Sequence, residues 1–219
     1  MLIQLAIIGM IAAMLPLSIV WVSDNPDKYR KLVWVTLFLT FDLIMFGAFT
    51  RLTDSGLGCP DWPGCYGQAD PMRAHADISA AEAAMPTGPV TVMKAWIEMI
   101  HRYLAMAIGV LIIATMVIAW RKWRQSGRKE TRFSPLFPTL LFGFVCLQGA
   151  FGAWTVTMKL QPIIVTTHLL LGMGLLALLA WLGARQTDHA PVSPAANALR
   201  LPAVLAALLL TIQIALGGW

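Results

Sequence analysis

Glu98, His101 and His168 are among the few ionisable side chains inside the long apolar runs of this 219-residue chain. Such groups are expensive in a membrane span, and those that persist mark functional positions. Imidazoles there bind metals. Two of them, approaching from opposite sides, form the axial ligand set of a haem iron. Zinc is the rival, since it takes three or four protein ligands and Glu98 stands one turn from His101 as a third. The plain alternative is that each histidine hydrogen-bonds a carbonyl or a hydroxyl. Glu98 precedes His101 by three residues and shares its side of a helix. Its carboxyl is suited to giving or taking a proton beside a bound group, or to complementing a helix start. Arg51 and Arg102 lie near the same ends of their runs, where they could pair with the carboxylates of a bound haem or reach lipid phosphates. Asp42 is a further intramembrane acid, whereas His75 and His189 fall in polar, solvated segments. Cys59 and Cys65 bracket Pro-Asp-Trp-Pro-Gly; a disulfide, a metal pair or free thiols are all open to them. Cys146 lies within an apolar run and reads as an inert core residue.

The elements that must position these groups are transmembrane helices. Hydrophobic residues make up 58% of the chain and charged ones 12%, against about 25% charged in a soluble domain. Apolar runs of about 20 residues span a bilayer, and a water-soluble core is excluded. The net charge of +5 is confined to short segments between the runs; it reads as membrane topology and gives no sign of nucleic-acid binding. The expected fold is all-α: a polytopic transmembrane protein with an up-down four-helix bundle and flanking helices. Residues 1–22 form an extra N-terminal helix, retained rather than cleaved because it lacks a basic start and a small-x-small site. Residues 32–184 form the bundle, with runs at 32–50, 94–120, 134–156 and 163–184 and a long loop at 51–93. Residues 201–219 begin a further apolar stretch after a polar linker containing Pro191 and Pro194.

Residues 121–132 carry six basic residues and one acid, so this loop belongs in the cytoplasm. Residues 52–93 carry five acids and one arginine and lie outside, as does the N-terminus. His101 and His168 then enter their helices from the outer side, at similar depth. The third and fifth runs are diagonal in such a bundle, so their imidazoles can converge. Ala105, Gly109 and Gly172 on the same faces would leave room for a flat macrocycle. Gln148 to Trp154 echoes Gln213 to Trp219, which marks either a duplicated bundle or chance likeness of Gly/Ala-rich helix ends.

The run Gly47-Ala48-Phe49-Thr50-Arg51-Leu52-Thr53 through Cys59-Pro60-Asp61-Trp62-Pro63-Gly64-Cys65 resembles the first outer loop of haem A synthases. Glu98-Met99-Ile100-His101-Arg102 resembles that family's Glu-x-x-His-Arg signature, and Leu147-Gln148-Gly149 with Thr167-His168 is also similar. The resemblance covers about residues 32 to 219. It implies an oxidoreductase that converts the C8 methyl of haem O to a formyl group, giving haem A for terminal oxidases. It implies His101 and His168 as ligands of the substrate haem, Glu98 as the catalytic carboxylate, and a Cys59–Cys65 disulfide. It also implies a second bundle holding haem b, a haem O synthase (a farnesyltransferase) as supplier, and a bacterial inner membrane as location; a homo-oligomer is compatible with it. The family's second histidine pair would fall after Trp219, so the sequence reads as part of a longer protein or as one lacking its cofactor half. The competing readings are a haem-binding or electron-transfer subunit without its own oxidation, and a cofactor-free assembly factor.

Overall fold

A computed structural model describes residues 1–188 and 193–218; His189, Pro191 and Trp219, named above, lie outside them. The helices are α1 (Leu2–Val22), α2 (Lys28–Leu52), α3 (His75–Ala84), α4 (Val92–Gln125), α5 (Leu136–Thr157), α6 (Pro162–Ala184), the single turn α7 (Pro194–Asn197) and α8 (Arg200–Gly218), with a 3₁₀ turn at Thr131–Phe133. Six of the elements are long and apolar enough to cross a membrane. The chain is thus an all-α polytopic membrane protein.

Several boundaries differ from expectation for local reasons. α2 begins at Lys28, inside the polar stretch, because the Asp27 carboxylate accepts the Arg30 N–H at 3.0 Å and caps the helix. α4 starts at Val92, where the Thr91 hydroxyl accepts the Lys94 N–H, and runs to Gln125. The first basic residues after Trp120 are therefore helical rather than looped. The outer loop contains α3, a short helix that its sequence did not announce. The return between α5 and α6 is made by Lys159 and Leu160, both left-handed (φ 51° and 58°).

α2 packs on α4 and α6, and α5 packs on α6 and α4, so α4 and α6 face one another diagonally. The basic segments share one end, where Arg132 pairs with Asp27 across the bundle. A core of Leu32, Val33, Leu111, Ile112, Leu141 and Leu179 fills the half of the bundle near that end. At the other end a second cluster joins Cys59, Cys65, Ala74 and Ile78 of the loop to Leu5 of α1 and to Ala95 and Met99 of α4.

α1 docks chiefly on α4 rather than on its chain neighbour α2. Gly9 makes this possible, because a Cβ there would stand 2.8 Å from the Met106 Cβ. Small residues at such crossings let helix backbones approach within the bilayer, where apolar burial contributes little. Gly9→Val is expected to lower the stability of the purified protein by about 1–3 kcal/mol through overpacking. An unchanged thermal midpoint in detergent would show that α1 is not docked there.

Candidate functional site

His101 lies nine residues into α4 and His168 six residues into α6, on the diagonal pair. They lie at one level of the bundle: a Cβ on Gly172, one turn past His168, would meet Ile44 of α2 at 3.9 Å, and Gly47, one turn past Ile44, meets His101. Each ring rests over a glycine of an adjacent helix. A Cβ on Gly47 of α2 would lie 3.1 Å from His101 Nε2, and one on Gly152 of α5 would lie 3.2 Å from His168 Cε1. The His101 ring stacks in parallel with Phe46, with centroids 6.2 Å apart. The Gln148 side chain of α5 donates to the His168 carbonyl at 3.1 Å.

Packing changes at this level. No residue is buried in 41–49 of α2, 100–106 of α4, 142–155 of α5 or 167–171 of α6. The tight core stops below the histidines, and all four helices are loosely filled beside them. The open space is not where the small-residue pattern placed all of it. Nothing lies within 4 Å of a Cβ built on Gly109, but one on Gly172 would meet Gln148 Nε2 at 3.2 Å. Gly172 therefore admits the glutamine rather than leaving a gap. His168 Nδ1 and Gln148 Oε1 are buried without partners, which is costly unless a bound group satisfies them.

Glu98 and Arg102 occupy a different setting from the histidines. Glu98 is buried; its Oε2 accepts the Cys59 N–H at 2.8 Å, and its Oε1 pairs with Arg102 Nη2. Arg102 Nη1 donates to the carbonyls of Asp61 (3.1 Å), Pro63 (3.3 Å) and Gly64 (2.5 Å). Tyr103 Oη donates to the Ala69 carbonyl at 2.7 Å. Successive side chains of α4 thus hold the outer loop by its backbone. Gly58 seats that loop directly on the α4 backbone, where a Cβ would collide with Lys94. Cys59 and Cys65 form a disulfide. The Asp61 carboxylate closes the turn after it, accepting the N–H groups of Tyr66 (2.6 Å) and Gly67 (2.7 Å).

Arg102 is consequently committed to loop carbonyls, and of the two arginines Arg51 is the one left free. It is exposed at the outer end of α2. Cys146 is exposed on α5, which corrects its reading as a core residue: the apolar run containing it has no buried residue on that turn. Asp42 is exposed on α2, and His75 bonds Ser79 on α3 at 3.3 Å. Gln148, Gly47 and Gly152 fall within the segments that carry the resemblance, but no role at the histidines was read for them from sequence. Gln148 carried a usable signal, since an amide within an apolar run seeks a partner.

Among the described residues no cluster of three or more His, Cys, Asp or Glu is placed to hold a metal ion. Glu98 is occupied by the loop, so the third ligand that zinc would need is missing. Two imidazoles on opposed helices, flanking segments without a buried residue and two orphaned buried polar atoms fit a haem instead.

The family model for cytochrome oxidase assembly proteins of the COX15-CtaA type matches residues 30–219. The chain belongs to this family. Among curated relatives of this cytochrome oxidase assembly family, the heme A synthase of Shewanella oneidensis is 42% identical over 194 residues, covering 86% of this chain and 56% of the relative. That of Methylobacterium nodulans is 32% identical, covering 82% and 53%. That of Rhizorhabdus wittichii is 26% identical, covering 90% and 60%. The chain therefore spans little more than half the length of the curated family members it matches. No solved structure matches it.

Proposed function

We propose that this chain supplies the substrate-binding bundle of a membrane oxidoreductase that converts haem O to haem A, oxidising the C8 methyl to a formyl group by successive hydroxylation. The observation that carries this reading is the convergence of His101 and His168 in the loosely filled outer half of the bundle. Bound there, haem supplies a redox-active iron and a flat macrocycle carrying the methyl to be oxidised. His101 and His168 hold the iron. Gly47 and Gly152 let the rings lie flat against their neighbours, and Gln148 fixes the helix turn that carries His168. Arg51 is the guanidinium available to the haem carboxylates. Glu98 serves this site by holding the outer loop on α4 through Cys59 and Arg102. A haem b site would belong to the second bundle of the family. The basic end faces the cytoplasm of a bacterial inner membrane, and the disulfide loop faces outward. A haem O-producing farnesyltransferase would be the supplier, and the product would go to terminal oxidase assembly.

One observation favours a second reading. Glu98 is engaged by Cys59 and Arg102 rather than left free beside His101, which among the described residues suits a subunit that binds haem without oxidising it. The test is to express the chain together with a second bundle of the family, with haem O available, and chromatograph the extracted pigments. Hydroxylated or formyl haem is expected under the first reading. Unmodified haem bound to the purified chain would establish the second, and absence of any bound haem would overturn both.

A further inference from the structure

At the basic end, the 3₁₀ turn, the start of α5 and the end of α6 enclose a cavity of about 150 Å³. Its polar wall includes Thr131, Arg132, Ser134 and Arg185, and its apolar wall includes Leu136 and Leu140. Arg132 is held rigidly: its Nε donates to Gln186 Oε1 at 3.0 Å, and its Nη2 pairs with Asp27. Gln186 is itself buried and anchored to the Leu182 carbonyl at 3.3 Å. Asp27 offsets the charge of Arg132, but Arg185 is exposed at the end of α6 and adds a positive charge to the same cavity. Leu136 and Leu140, 67% and 62% exposed, stand one turn apart on α5 and lead from the cavity onto the outer surface of the bundle.

A guanidinium pair with two hydroxyls fits the oxygens of a phosphate. An apolar stripe leaving the same cavity along a membrane helix fits an acyl chain. We propose that this cavity binds one anionic phospholipid, with its phosphate between Arg132 and Arg185 and one chain along Leu136 and Leu140. Phosphate alone would use the polar wall and leave the stripe unexplained. Basic pockets between helices at the cytoplasmic side are suited to such headgroups, and anionic leaflet lipids attract them.

Native mass spectrometry of the full chain in non-ionic detergent tests this with three probes: phosphatidylglycerol, phosphatidylcholine and inorganic phosphate. Retention of one phosphatidylglycerol is expected, with phosphatidylcholine held about fivefold more weakly. Combining Arg185→Ala with Ser134→Ala should reduce phosphatidylglycerol retention by at least about fivefold. Leu140→Trp, which crowds the stripe and touches no charge, should weaken the lipid as well and serves if the double variant does not fold. Equal retention of both lipids, or full retention in both variants, would overturn the proposal. Binding of inorganic phosphate as tight as that of the lipid would do so too, because it would leave only an anion site.

Discussion

Haem binding is expected to collapse in His168→Ala and in His101→Ala. With purified protein titrated with haemin, each variant should lose the sharp low-spin Soret band and bind about 100-fold more weakly or worse. The magnitude is a lower bound, since loss of a mere supporting partner to a metal ligand already costs about 10- to 100-fold. The physical reason is that each helix brings one donor, and no other metal-ligating cluster exists among the described residues to replace it. The two losses should resemble one another, because the imidazoles belong to a single axial set. His75→Ala is the control: this histidine is exposed on α3 and should leave the spectrum unchanged. Wild-type spectra in either of the first two variants would remove the shared-iron geometry.

The second large effect is expected at Glu98. Glu98→Ala leaves the Arg102 guanidinium without its partner at a site where both side chains are nearly buried, 10% and 6% exposed. Removing one member of a buried pair costs about 3–5 kcal/mol, because the remaining charge is left uncompensated. The Cys59 N–H also loses its acceptor. Thermal melting should fall sharply, and amide exchange should accelerate across residues 59–68. Glu98→Gln keeps an acceptor for Cys59 and should fall between the alanine variant and wild type. If Glu98 served only the chemistry, the alanine variant would melt and exchange as wild type while losing product. That pattern would refute a loop-holding role.

These two sites differ in how far the chain announced them. Helix type and number follow from apolar length, and the diagonal of α4 and α6 follows from short connections and alternation, so the placement of His101 and His168 on opposed helices was legible. The partners of Glu98 and Arg102 were not. Apart from their own pairing, these are backbone groups 38 to 41 residues away from Arg102 and 39 from Glu98, and no side-chain pattern records a backbone N–H or carbonyl. α3 was hidden because a ten-residue Ala-rich stretch in a polar loop has no strong period of its own; packing of Ile78 against the disulfide cluster fixes it. The exposure of Cys146 was misread because in lipid an apolar neighbourhood says nothing about which side of a helix faces inward. Asp27 was similarly overlooked as a cap, since a loop acid and a helix cap look alike until the first N–H groups are placed.

The seat of α1 on α4 has a consequence for biosynthesis. The chain leaves the ribosome in order, yet the first span finds its main partner only after α2, the disulfide loop and α3 have been made. α1 must wait in the bilayer beside its sequence neighbour, then slide into register once the Met106 turn of α4 arrives opposite Gly9. Insertion and assembly are thus separate events in time. The latch between the first and third long spans is thrown late, after the loop that separates α2 from α4 has been made.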